Sequence, residues 1–151
     1  MARGYPKPKK FIPTNPHKYL GDPTRITTRS SWEVKFLKWA DTNPDIIAYS
    51  SEEVVIPYLS PKDNQMHRYY VDVLLVTRSK DGGKVVSLIE IKPHGQTLPP
   101  KSTKGKRKST LINEVVTYSV NQAKWAAAEA YCKKRGWKFL VLTEKELFGM
   151  K

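Results

Sequence analysis

The sequence predicts one α/β domain, an α-β-β-β-α-β order of elements with a mixed central sheet flanked by helices. Three observations predict it. A length of 151 residues suits a single core. Two stretches repeat their apolar residues at helical spacing, and short runs rich in β-branched and aromatic residues lie between and after them, bounded by Gly, Pro, Asn and Asp. The last of these runs follows the longer helical stretch, and a strand, crossover helix, strand sequence favours a parallel pairing.

Taken in order, residues 1–29 are rich in Pro and basic groups, among them Arg3, Lys7, Lys9, Lys10 and Arg29, and show no periodicity. They read as an extended basic N-terminal arm ahead of a domain over residues 30–151. Phe11, Tyr19 and Leu20 could pack the arm along that domain; otherwise it orders on DNA. Thr28, Ser30 and Ser31 offer caps to a helix whose positions 32, 36, 39 and 40 share one face, and Asn43-Pro44 ends it. Strands are expected over 53–58, 69–77 and 84–92. Pro61-Lys62-Asp63-Asn64 separates the first two, and Asp81-Gly82-Gly83 turns the second into the third as a hairpin.

Residues 93–109 carry Pro93, Gly95, Pro99 and Pro100 and read as a long exposed loop. A helix over 110–135 follows, with Ile112, Val116, Ala123, Ala127 and Ala130 as its stripe and Gly136 as its stop. A strand over 137–142 and a short helix over 144–148, capped by Thr143, complete the chain.

Charge narrows the function. Against 14 Asp plus Glu stand 27 Lys plus Arg, a net charge of +13, which favours a polyanionic partner, with double-stranded DNA the first choice. No apolar run approaches the roughly 20 residues that span a bilayer, and no signal-type segment opens the chain, so a soluble intracellular protein without membrane partners is expected. Cys132 is the single cysteine, which excludes an intramolecular disulfide, and it reads as a packing residue.

Two places in the strands demand a chemical reason. Asp72 is the lone acid in Tyr70-Val71-Asp72-Val73-Leu74-Leu75-Val76, where a carboxylate loses hydration unless a partner or a metal replaces it. Glu90 and Lys92, spaced i, i+2 in the next strand, project from one face. If the hairpin joins these strand ends, Asp72 and Glu90 can share a hard divalent cation while Lys92 stands beside it. The bland alternative is an edge strand with one face in water, where the same residues form a surface ion pair.

The spacing of Asp72 from Glu90-Ile91-Lys92, within this element order, resembles the PD-(D/E)xK, or restriction-endonuclease-like, superfamily. That resemblance implies a nuclease in which Asp72 is the motif acid and Glu90 and Lys92 form the (D/E)xK. It implies Mg2+ as cofactor, with Mn2+ able to substitute. Many members add a glutamate from the first helix, matched by Glu33 as a further metal ligand, and some add a glutamine in the helix after the motif, matched by Gln122. The metal set expected is thus Asp72, Glu90 and Glu33. The basic run Lys101, Lys104, Lys106, Arg107 and Lys108, together with Arg29, is expected to contact DNA phosphates.

A second resemblance covers nearly the whole chain. Asn15 to Thr27, leading into Arg29-Ser30-Ser31-Trp32-Glu33, is similar to the head-completion nucleases of T4-like tailed phages. The TnsA-type transposase subunits that cut at transposon ends are more distantly similar. The phage resemblance implies an endonuclease, with exonuclease activity as an extension, that acts on packaged DNA during head completion and head-tail joining. Portal or neck proteins would be its partners, in the host cytoplasm during assembly or in the virion neck. Two other readings stay open on sequence: a non-catalytic DNA- or portal-binding head-completion protein, and a junction-resolvase or restriction-type nuclease on the same fold.

Overall fold

The computed structural model describes residues 7–149. The N-terminal segment is closed into a loop: β1 (Lys9–Lys10) pairs antiparallel with β2 (Thr27–Thr28), and the Phe11 N–H donates to Ile26 O at 2.8 Å. Phe11, Tyr19 and Ile26 are buried, while Leu20 is exposed. Of the two alternatives for the arm, the described residues follow packing along the domain, through Phe11 and Tyr19 and not Leu20, and the segment is folded back on itself where an extended form was expected; Arg3 lies outside the described residues. Arg29 and Lys9 stay at the surface.

Helix α1 (Ser31–Thr42) starts where Ser30 accepts the Glu33 N–H and buries Phe36, Leu37 and Ala40. Its last carbonyls are met by the Lys18 ammonium, which donates to Ala40 O, Asp41 O and Asn43 O at 2.8–3.0 Å. The chain then forms β3 (Ile46–Ser51), a strand missing from the sequence reading. Its Ile-Ile-Ala-Tyr-Ser-Ser does not alternate, because the N-terminal segment covers it: Tyr19 bridges Tyr49 in parallel, and the Leu20 N–H donates to Tyr49 O.

The expected strand over 53–58 exists as β4 (Val55–Ser60), yet it lies outside the main sheet, pairing with β5 (Gln65–Tyr70) in a separate hairpin. The expected 69–77 strand is thus two strands, broken at Val71-Asp72, where the chain passes from one sheet to the other into β6 (Val73–Arg78). The turn at Gly82, with φ +87°, leads back along β7 (Lys84–Ile91), antiparallel to β6 as expected.

Helix α2 (Lys108–Arg135) begins two residues earlier than expected, ends at left-handed Gly136 and carries the chain to β8 (Lys138–Leu142), parallel to β7. A capping box on Thr143 starts α3 (Glu144–Leu147). The four-stranded sheet runs β3-β6-β7-β8 and is mixed. One face packs Val73, Leu75, Ile89 and Ile91 against α1; the other packs Leu88, Phe139 and Val141 with α2 and the β4–β5 hairpin, Cys132 among them. Among the described residues no helix is long and apolar enough to cross a membrane.

Candidate active site

Asp72 sits where the chain changes sheets. Its carbonyl accepts the Glu52 N–H at 3.1 Å, and its Oδ2 accepts the Ile91 N–H at 2.8 Å, which ties the start of β6 to the end of β7. Extending the register Val73↔Ile89 by one step sets Asp72 opposite Glu90. Glu90, 6% exposed, lies on the α2 side of the sheet because strand side chains alternate, with Ile89 and Ile91 on the α1 side. Its Oε2 accepts the Tyr69 hydroxyl, and its Oε1 lies 3.6 Å from the Lys92 ammonium. Lys92 itself is fixed by its N–H, which donates to Leu142 O at 2.9 Å. The alternative of an open strand face in water is set aside by this burial.

The electrostatics follow from that crowding. Burial first and the Glu90 charge second push the Asp72 carboxyl well above the usual carboxylate range, with Glu33 adding; the Ile91 N–H and Lys92 oppose them. Burial also raises Glu90, against the Tyr69 hydroxyl, Lys92 and Lys124. The pair therefore holds more negative charge than its protein donors neutralise. Both residues offer hard oxygens, the donor chemistry that a small divalent cation prefers.

Glu33 stands nearby but is occupied. Its Oε2 accepts the Arg29 N–H at 3.1 Å, one residue before the Ser30 cap. Burial raises its carboxyl too, with Glu52 and Glu90 adding. Among the described residues no group of three or more His, Cys, Asp or Glu is arranged to hold a metal ion, and Asp72 and Glu90 are the two carboxylates that the strand register sets opposite each other. Gln122 is exposed and lines surface hollows with Phe139 and Val141 and with the β4–β5 tip at Leu59 to Asn64; its side chain donates no hydrogen bond to the carboxylates.

The α2 residue that does reach the pair electrostatically is Lys124, about 200° around the helix from Gln122. Its ammonium lies 5.7 Å from the Tyr69 ring centroid and 5.9 Å from that of Tyr58, and burial followed by the Lys92 charge pushes it below its ordinary range. Sequence reasoning missed both Lys124 and Tyr69. The signal for Lys124 was present: it flanks the buried stripe of Asn121, Trp125, Ala128 and Cys132. No sequence signal tied Tyr69 to Glu90, since the contact crosses between sheets.

Of the expected DNA contacts, Lys101, Lys104, Arg107 and Lys108 are exposed near the start of α2, and Arg29 is exposed with its Nε 4.0 Å from Glu52. Lys106 is engaged, donating to Lys101 O and to Glu114 at 2.6 and 2.9 Å.

Residues 43–144, more than half of the chain, match the family model described as TnsA-like endonuclease N terminal. That span includes Asp72, Glu90, Lys92 and Lys124 and excludes Glu33. A protein named head completion nuclease, from Enterobacteria phage T4, is 43% identical over 143 residues, which cover 91% of each chain.

Proposed function

Because the chain belongs to the TnsA-like endonuclease family, within the restriction-endonuclease-like superfamily, we propose that it is a metal-dependent deoxyribonuclease hydrolysing phosphodiester bonds of double-stranded DNA. It acts as an endonuclease, with exonuclease activity on ends as an extension. The observation that carries this reading is the convergence of Asp72, Glu90 and Lys92 at the ends of the two central strands, with the two carboxylates desolvated together. Perturbed, clustered titratable groups of this kind concentrate at functional sites.

Asp72 and Glu90 would hold Mg2+, or Mn2+ in its place, with Glu33 in support. A cation held there would supply a water of lowered pKa and offset charge on the scissile phosphate. The chain's own groups prepare for this. The Ile91 N–H fixes Oδ2 of Asp72, and the Tyr69 hydroxyl fixes one oxygen of Glu90. The Lys92 ammonium, anchored through its backbone and held at Glu90, is placed to position the attacking water or a phosphate oxygen.

The near full-length similarity to the phage protein supports a role in head completion, on packaged DNA before filled heads join tails, with portal or neck proteins as partners, in the host cytoplasm during assembly or in the virion neck. Binding is mainly to the DNA backbone through Lys101, Lys104, Arg107, Lys108 and Arg29, so sequence preference is weak and affinity falls steeply with salt.

The test is nicking of supercoiled plasmid at low salt with Mg2+, Mn2+ or EDTA, comparing the wild type with Asp72→Ala and Lys92→Ala. The wild type cuts only with metal, and both variants bind DNA without cutting. Absence of cutting, or cutting that survives both changes, would replace this reading with a non-catalytic DNA- or portal-binding protein. Preference for branched over linear DNA would move it to a junction resolvase.

A further inference from the structure

Lys124 has no role in the site as described so far. It is half-buried, its ammonium lies over the faces of Tyr58 and Tyr69, and among the described residues it belongs to no ion pair. The charges that act on it are those of the candidate site: Lys92, Glu90 and Asp72. A partly desolvated ammonium with no carboxylate in direct ion-pair contact is costly, and ring faces recover only part of the lost hydration. An apolar or amide side chain would sit more comfortably over two tyrosines. Retaining a cation there makes sense if an anion arrives beside it.

The neighbours suggest which anion. Tyr69 does two things at once, donating its hydroxyl to Glu90 and carrying Lys124 on its ring. The seat of Lys124 and the orientation of Glu90 thus share one side chain. Lys92 comes from just beyond β7 and Lys124 from α2, so the two ammonium groups act on the carboxylate pair from different elements, and a cation that took up the carboxylate charge would leave both free to bind another anion. A phosphodiester entering that space would answer both.

We propose that Lys124 is a second phosphate-binding cation of the active site, its ammonium held by Tyr58 and Tyr69 and contacting a phosphate oxygen of the DNA strand being cut. The inference rests on the nuclease reading for its catalytic consequence and on geometry alone for the contact. Lys124 binds the backbone, and Lys92 works beside Glu90.

The experiment measures binding of a fluorescein-labelled duplex in EDTA at several salt concentrations, and nicking of plasmid with Mg2+, for wild type, Lys124→Gln, Lys124→Met and Lys124→Arg. Losing one phosphate contact makes the slope of log affinity against log salt shallower by about 0.9. Both neutral variants are expected to show that change and a rate at saturating DNA lower by about a hundredfold, with melting temperatures no lower than the wild type. Lys124→Arg keeps the slope and recovers most of the rate. A slope unchanged in both neutral variants overturns the proposal whatever happens to the rate, since a lysine acting only through Tyr69 or the fold would not alter it. If the wild type fails to cut at all, the nuclease reading falls while the slope still decides the Lys124 contact.

Discussion

Two aspartates in this domain have lost most of their water, and they are treated in opposite ways. Asp41, at the end of α1 and 2% exposed, accepts the Thr14 and Asn15 N–H groups and the Tyr49 hydroxyl, all at 2.9–3.2 Å. Three protein donors, the Asn15 N–H shared between both carboxylate oxygens, clasp the N-terminal segment to the helix and β3. Asp72 accepts one side-chain hydrogen bond, from the Ile91 N–H, and faces Glu90 with Glu33 close by. Desolvation by itself therefore says little. What separates a structural carboxylate from a chemical one is whether the fold supplies donors for its charge or packs more negative charge against it.

The largest effects should fall on opposite sides of that divide. Asp72→Asn is expected to lower the nicking rate by about 10³-fold or more. It should leave the metal-free protein as stable as the wild type or more so, because an amide relieves the repulsion at Glu90. The pH dependence carries the sign. A carboxyl whose folded pKa is raised is protonated more readily in the folded state, so its contribution to stability is complete below the ordinary range near about 4 and is lost as pH rises through the folded value. Melting curves without metal should thus show the advantage of Asp72→Asn growing from about pH 4 toward neutrality.

Asp41→Asn should do the reverse. It strips charge from hydrogen bonds to two backbone donors and a buried phenol and should cost about 2–4 kcal/mol, roughly 5–15 °C in melting temperature, with nicking below the melt unchanged. Equal losses of stability in the two variants would erase the distinction.

How much of this was legible in the sequence follows the same line. The β6–β7 hairpin, the long helix and the last strand were readable because period, turn residues and stop signals agreed locally. Asp72, Glu90 and Lys92 were readable because a charge in an apolar run needs a reason. Strand β3 escaped, since its Tyr-Ser-Ser end is buried by a segment distant in the chain. The break at Asp72 escaped because Tyr69 to Thr77 is uniformly strand-forming, and only the tertiary fold divides it between two sheets. The clasp on Asp41 escaped for the same reason, being made by residues 26 and 27 positions earlier.

A smaller effect tests the donor on the other carboxylate. Tyr69→Phe removes the hydroxyl that lowers the Glu90 pKa while keeping the ring under Lys124. Nicking is expected to fall by about tenfold. The acid limb of the pH–rate profile should move to higher pH, because Glu90 then holds its proton longer. An unmoved limb would mean that Glu90 owes its ionisation to Lys92 and the bound cation, and that the hydroxyl serves packing.

The same contrast between engaged and unengaged charge recurs, at the smallest scale, in the basic stretch before α2. Lys106 is tied to Glu114 and to the Lys101 carbonyl. Lys104 and Lys108 are exposed and belong to no ion pair among the described residues. Neutralising Lys104 and Lys108 together should make the salt dependence of DNA binding shallower by roughly 1–2 units in slope, without changing the melting temperature. Lys106→Gln should leave the slope nearly untouched, because that charge is already matched by a carboxylate. Binding experiments across salt separate the two cases, and a slope that drops equally for Lys106→Gln would show that DNA displaces Glu114 and recruits the whole stretch.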